Sequence, residues 1–333
     1  MELPLLRDGQ TNGWLLRLNQ SGRILIRRAN ILPSHSCTEH DGRGKDRVQP
    51  ANRESHSSDS PPSPKILIAS AGFGEGHNSA ARNLQLALTG KAQVQITDPC
   101  AEGAPCLNEL LRNGYRFVTT HWPALWAHCY RGVEKRDFSK RQFAFMRTAE
   151  NALRDTIASY APDLMISTYP LYPYFMDRAR RELGRDIPIA TVVTDSIEIN
   201  AAWRKAPTDY WLVTDRYTRA NLIDHGIDRS SIIETGFPVH QDLASLPTLT
   251  ADDDLDPFRI LFFPTAKKPT VRRVVRALLD NGHDRSEVTI VLGRNVRPQY
   301  HKDKEIKAAD PGRVRISRWT KRIPELRCKQ HLV

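Results

Sequence analysis

Residues 65–98 read KILIASAGFGEGHNSAARNLQLALTGKAQVQITD. Ile66-Leu67-Ile68-Ala69 is a short continuous apolar run, the pattern of a strand covered on both faces. It passes into Gly72-Phe73-Gly74-Glu75-Gly76-His77 and then into a helical stretch from Asn78 to Leu88. There Ala80, Ala81, Leu84, Ala87 and Leu88 fall at helical spacing. Val94-Gln95-Ile96 supplies the next strand, ending at Asp98-Pro99. Strand, glycine turn, helix and strand make a βαβ unit, which predicts a parallel sheet.

The same pattern continues downstream. Strand-like runs are read at Leu164–Ser167, Ile189–Val193, Tyr210–Val213, Ile232-Ile233, Ile260–Phe263 and Val288–Leu292, with helices such as Arg147–Tyr160 and Thr218–His225 between them. The class is α/β. LASLPTLTADDDLDP, over 243–257, is acidic and proline-containing and reads as a linker. Upstream, Ser34 to Pro64 is rich in Ser, Asp, Arg and Pro and offers little to bury, so a disordered leader is expected over residues 1–63. Trp14-Leu15-Leu16 and Ile24-Leu25-Ile26 are apolar clusters within it. Asn19-Gln20-Ser21-Gly22 interrupts any surface helix they would form.

The 333 residues are 40% hydrophobic and 26% charged, an ordinary globular mix that excludes collagen, a long coiled coil and wholesale disorder. Forty-nine Lys and Arg against 38 Asp and Glu give a formal charge of +11, which favours polyanionic surfaces without choosing among them. No apolar run reaches the ~20 residues that span a bilayer. The five cysteines are odd in number and lack a C-x-x-C pair, which reads as reduced thiols in the cytoplasm.

Several motifs carry chemistry. Gly72, Gly74 and Gly76 permit a sharp turn and close ligand approach, and the following helix start suits phosphate. The spacing is G-x-G-x-G-H, not the dinucleotide G-x-G-x-x-G, and Asp98 is the one acidic candidate for a ribose. A tight packing turn accounts for the loop equally simply. His77 follows a first strand, where side chains face the ligand crevice of an open sheet, and it suits a general base. The plainer reading is a capping or hydrogen-bonding residue. Thr194-Asp195 ends another strand; the carboxylate is read as orienter, proton acceptor or cap. Residues 114–147 set Trp122 and Trp126 beside Arg131, Lys135, Arg136 and further cations. That composition fits a membrane interface, a single-stranded nucleic acid or an amphipathic helix packing its aromatics in the core. No cluster with metal-ligand spacing is read.

Together these motifs resemble the monogalactosyldiacylglycerol synthase and processive diacylglycerol glucosyltransferase family, which is glycosyltransferase family 28-like. The resemblance runs from KILIASAGFGEGHNSAARNLQLAL through HWPALWAHCY to VVTDSIEINAAWRKAPTDYWLVTDRYTRANLIDHGIDRSSIIETGFPV, and on to IVLGRNVRPQY and VRISRWTKRIPEL. It implies a twin-Rossmann (GT-B) glycosyltransferase fold. The implied organisation is an acceptor-side domain over 64–245, a linker over 246–257 and a partial donor domain over 258–333. The implied reaction is inverting transfer of a hexose from a UDP-sugar to diacylglycerol, with UDP-sugar as co-substrate and no cofactor. His77 would be the base, Asp195 its orienter or an alternative base, and Lys267, Lys268, Arg294 and Asn295 donor-side groups. The implied setting is the inner face of the membrane, with the aromatic-basic segment on anionic lipid and no nucleic-acid partner.

Two departures qualify that expectation. Phe262 to Pro269 lacks the family's glycine-rich turn, and Val333 is reached before its Gly-Gly turn and acidic residue. The second Rossmann domain is therefore expected to be incomplete, which puts transfer activity in question. A non-catalytic acceptor-binding remnant is the first alternative. A transferase acting on a polyprenyl-linked peptidoglycan precursor is the second.

Overall fold

The computed structural model describes residues 63–73, 75–122, 144–196, 199–240, 257–264, 268–281, 286–292, 312–317 and 323–327, the strands within 2–30, and a few isolated positions. The chain divides into two compact units, Met1–Val239 and His240–Val333.

The first unit is built on a six-stranded, all-parallel sheet. Its strands are β4 (Lys65–Ala69), β5 (Gln93–Thr97), β6 (Leu164–Ser167), β7 (Ile189–Val192), β8 (Tyr210–Val213) and β9 (Ile232–Glu234), in the order β5-β4-β6-β7-β8-β9. Right-handed crossovers between parallel strands need helices on the faces, and the sequence supplies them. These are α1 (Glu75–Leu88), α2 (Pro99–Gly103), α3 (Pro105–His121), α4 (Arg147–Tyr160), α5 (Tyr172–Glu182), α6 (Ala201–Arg204) and α7 (Arg216–Asp224).

Alternation along the strands divides the core in two. On β4, Ile66 and Ile68 join Leu84 and Leu88 of α1 on one face. Leu67 and Ala69 turn to the other, against Leu153 and Ile157 of α4 and Phe175 and Met176 of α5. Ile66, Leu67 and Ile68 are buried almost completely, worth roughly 1.5–3 kcal/mol each. Helix α4 stops at Ala161, which adopts φ 50° and sends its N–H to the Ile157 carbonyl before Pro162.

The second unit has three parallel strands, β10 (Phe258–Phe262), β11 (Ser286–Val291) and β12 (Val314–Ser317), with α8 (Lys268–Asn281) between the first two and α9 (Ile323–Arg327) last. Ile260, Val271, Val275, Val288 and Ile290 form its own small core. Both units are thus α/β with parallel strands, as the hydrophobic patterning predicts, and the first is Rossmann-like.

The leader departs from expectation at the three strands described within residues 2–30. Strands β1 (Glu2–Pro4), β2 (Asn12–Leu18) and β3 (Ile24–Asn30) form an antiparallel sheet in place of disorder, with β2 and β3 paired from Asn12↔Asn30 to Leu18↔Ile24. The two apolar clusters pair with each other, Leu16 opposite Ile26, and residues 19–23 between the strands lie outside the described residues. Residues 31–62 and the linker region 246–256 lie outside the described residues.

Candidate active site at the carboxyl edge of the first sheet

From β5 the chain crosses back over β4 to reach β6. The gap between β4 and β6 at the carboxyl edge is therefore the switch point of the sheet, the place where open α/β folds hold ligands. His77 comes to it from the first turn of α1, Thr168 and Tyr169 from the end of β6, and Thr194 and Asp195 from the end of β7.

His77 Nδ1 and the Thr194 hydroxyl are 2.9 Å apart. The imidazole also bonds the Thr168 backbone carbonyl. Tyr169 meets the ring edge-on at 5.3 Å between centroids, itself stacked on Phe73 at 5.5 Å, and Trp203 lies 6.2 Å away. Burial pushes the His77 pKa below 6.5, with the Thr168 carbonyl and the Asp195 charge opposing the shift. The ring is therefore neutral near pH 7, the state a base requires.

Asp195 is half-buried, and its Oδ2 accepts the Trp203 indole N–H at 2.8 Å. Trp203, on α6, is 1% exposed, so it aims the carboxylate from a fixed position. The capping readings of both residues do not hold, whereas the plain hydrogen-bonding reading of His77 is met by Thr194 and Thr168. Asn200, not Asp195, caps α6, and His77 spends its nitrogen on Thr194, not on a helix end. Ser196 donates to Asp215 at 2.6 Å, tying this loop to the start of α7, where Asp215 also caps Tyr217 and Thr218. Those hydrogen bonds hold the Asp215 carboxyl well below the usual carboxylate range.

The glycine loop behaves differently from its sequence reading. Neither Gly72 nor Gly76 needs a positive φ, whereas Gly236 of the Thr-Gly-Phe-Pro-Val stretch does, at 76°. A β-carbon on Gly76 would meet nothing within 4 Å, so the glycine there leaves open space and does not relieve strain. Asp98 is not a ribose ligand. Its Oδ2 accepts Gly72 N–H at 2.9 Å and its Oδ1 accepts Ala101 N–H at 3.1 Å and the Tyr172 hydroxyl at 3.2 Å, so it clamps the loop to α2 and α5.

Trp122 closes α3 and is 56% exposed, packed edge-on against Phe117, which is 50% exposed. Burial of these aromatics in the core is therefore ruled out at the two described positions. Lys268 opens α8. Gly74, Trp126, Arg131, Lys135, Arg136, Lys267, Arg294 and Asn295 lie outside the described residues. Sequence reasoning missed Tyr169 and, while including Trp203 in the stretch that carries the resemblance, gave it no role. Position after β6, at a switch point, was the available signal for the first.

Residues 77–239 match the family model of monogalactosyldiacylglycerol (MGDG) synthase. The match opens on His77 and closes where the first unit ends. The chain is 24% identical over 270 residues to a processive diacylglycerol beta-glucosyltransferase of Bacillus subtilis (strain 168), covering 79% of this chain and 69% of that one. It is 26% identical over 178 residues to the same-named protein of Bacillus mycoides (strain KBAB4), covering 53% of this chain and 45% of the relative. The chain thus spans a little over two thirds of the one and less than half of the other. A crystal structure of Anabaena HepE in complex with UDP-glucose aligns at a TM-score of 0.47 and 13% identity, over 79% of this chain and 71% of that one.

Proposed function

We propose that the chain is an inverting hexosyltransferase of glycolipid synthesis, moving a hexose from a UDP-sugar to the free hydroxyl of diacylglycerol. The observation that carries this is the convergence of a neutral, ring-locked His77 and an indole-held Asp195 at the switch point, inside the segment that matches MGDG synthase. The acceptor oxygen attacks the sugar's anomeric carbon, the bond from that carbon to the diphosphate breaks, and UDP leaves with the electron pair. The acceptor hydroxyl takes the place of the Thr194 hydroxyl at His77 Nδ1 and gives its proton there, and the Asp195 charge stabilises the imidazolium that forms. In this reading the second unit supplies the groups for UDP.

Helix α3 supports a membrane setting. Leu110 and Phe117 lie two turns apart on one stripe, 68% and 50% exposed, and Trp122 follows them. Asn108 and Arg112 occupy the opposite face, turned inward. Exposed Leu110, Phe117 and Trp122 beside the exposed polar Glu109 and Asn113 suit the headgroup boundary of a bilayer. No helix among the described residues is long and apolar enough to cross a membrane.

The test is incubation of the full chain with radiolabelled UDP-glucose or UDP-galactose and two acceptors, diacylglycerol and a polyprenyl-linked peptidoglycan precursor. Label in hexosyl-diacylglycerol is expected. Label only in the polyprenyl product would transfer the reading to the second acceptor class, and none in either would overturn it.

A further inference from the structure

In the transfer reaction Thr194 does no more than yield its place at His77 Nδ1 to the acceptor. Two other threonines at strand ends show what is unusual about it. Thr214 donates its hydroxyl to an Asp215 carboxylate oxygen at 2.6 Å, and Thr208 donates to the Ile189 carbonyl at 2.9 Å. Those partners can only accept, so both hydroxyls are fixed donors. The Thr194 hydroxyl lies 2.9 Å from His77 Nδ1, a nitrogen that accepts in one protonation state of the ring and donates in the other.

The neutral imidazole carries one N–H, and the Thr168 carbonyl, which can only accept, takes it. With Nδ1 held by Thr194, Nε2 carries that hydrogen, and the Thr194 hydroxyl donates to a bare Nδ1. Once Nδ1 is protonated, the same hydroxyl must turn and accept. A carboxylate in its place would serve only the charged ring, and an aliphatic side chain would serve neither state. The other groups around the ring cannot make this change. Tyr169, at the end of β6, meets the ring edge-on and is kept neutral by burial, and Trp203 of α6 bears no charge. The Asp195 charge, from the end of β7, favours the protonated ring throughout, and Glu75 on α1 itself is paired with Arg82.

We propose that Thr194 is a positioning residue whose hydroxyl reverses during turnover: it donates to Nδ1 of the neutral base, yields that place to the acceptor, and returns after transfer to accept the Nδ1–H of the imidazolium. Thr194 keeps its own proton throughout; the acceptor's proton resides on Nδ1 and leaves from there to solvent. Because the bond to the charged ring is the stronger of the two, Thr194 makes His77 a better base than burial alone would leave it. The inference deepens the hexosyl-transfer reading and rests on it for its kinetic consequence. Titration of the ring needs no substrate, so failure of the one is distinguishable from failure of the other.

The full chain, carrying isotope-labelled histidine, is titrated by NMR as wild type, Thr194→Val and Thr194→Ser, with the His77 signal assigned by its loss in His77→Gln. In wild type at neutral pH the Nδ1 shift is expected to be that of a bare nitrogen; a protonated Nδ1 there overturns the proposal without recourse to any variant. Thr194→Val is close to isosteric and is expected to move the His77 midpoint to lower pH than in wild type, with Thr194→Ser restoring it. In the transfer assay the acid limb of kcat/KM is expected to follow the same order. In Thr194→Val kcat is expected to fall roughly tenfold while the acceptor KM does not rise, since no hydroxyl has to be displaced. A role in packing alone would leave the midpoints where they are. An unchanged or raised His77 midpoint in Thr194→Val, or a Thr194→Ser that titrates like Thr194→Val, overturns the proposal. The expected titrations without transfer by wild type would uphold the reversal and remove the hexosyl-transfer reading.

Discussion

His77 contributes to stability with a sign opposite to that of a paired histidine. Burial lowers its pKa below 6.5, so the folded chain resists protonation that the unfolded chain accepts. Stability therefore does not vary through His77 above 6.5, falls as the pH drops from 6.5 to the folded pKa, and levels off below it. Urea midpoints at neutral and mildly acidic pH are expected to show a smaller acid loss in His77→Gln than in wild type; an equal loss would mean the ring is not held neutral. Trp203 makes a second claim at this scale. Trp203→Phe keeps a ring in the pocket but removes the N–H that Asp195 accepts and opens a void. A destabilisation of roughly 2–4 kcal/mol is expected in chemical denaturation. A loss under about 0.5 kcal/mol would mean the indole bond is not formed.

At the scale of elements, two backbone features are testable. Ala161 ends α4 at φ 50°, a region that costs a side chain and not a glycine. Ala161→Gly is expected to raise the melting temperature, by about 0.5–1 kcal/mol of stability. Gly103 is the opposite case. A β-carbon there would lie 2.3 Å from the Thr148 carbonyl oxygen and 2.8 Å from Ala149 Cα, so α2 and α4 meet backbone to backbone. Gly103→Ala is expected to cost roughly 1–3 kcal/mol by thermal melting, and a neutral result would contradict that packing. Helix α3 predicts a surface property. Binding to anionic vesicles is expected to weaken at high salt and in the double variant Phe117→Ser, Trp122→Ser, measured by co-sedimentation. Binding that neither change affects would place the membrane contact elsewhere.

Elements differed in how legible they were. β6 and β8 were read to the residue, because three consecutive buried apolar positions between polar flanks admit little else. α1 begins at Glu75, three residues before its predicted start, since Glu75-Gly76 carries no apolar periodicity and only the fold shows the turn already wound. α3 was harder to read, because Leu110 and Phe117 are exposed while Asn108 is buried, against the rule that pattern reading depends on.

Across the whole molecule, the βαβ reading of residues 65–98 extended correctly to a six-stranded sheet because each later strand repeats its chemistry. The site was half legible. His77 and Asp195 sit at strand ends, where a sequence can be read for a crevice, but what joins them is not local. Thr194 lies 117 residues from His77, and Asp98 was available to sequence as a ribose ligand until its three donors were seen.

The central claim is that the His77 cleft performs hexosyl transfer. Its most direct test is the initial rate of labelled hexose transfer to diacylglycerol by wild type and His77→Ala, followed across pH. The account predicts transfer by wild type with an acid limb whose midpoint lies below 6.5, and a loss of roughly 10²–10⁴-fold in a folded His77→Ala. Transfer that survives in His77→Ala with the same pH profile would contradict it.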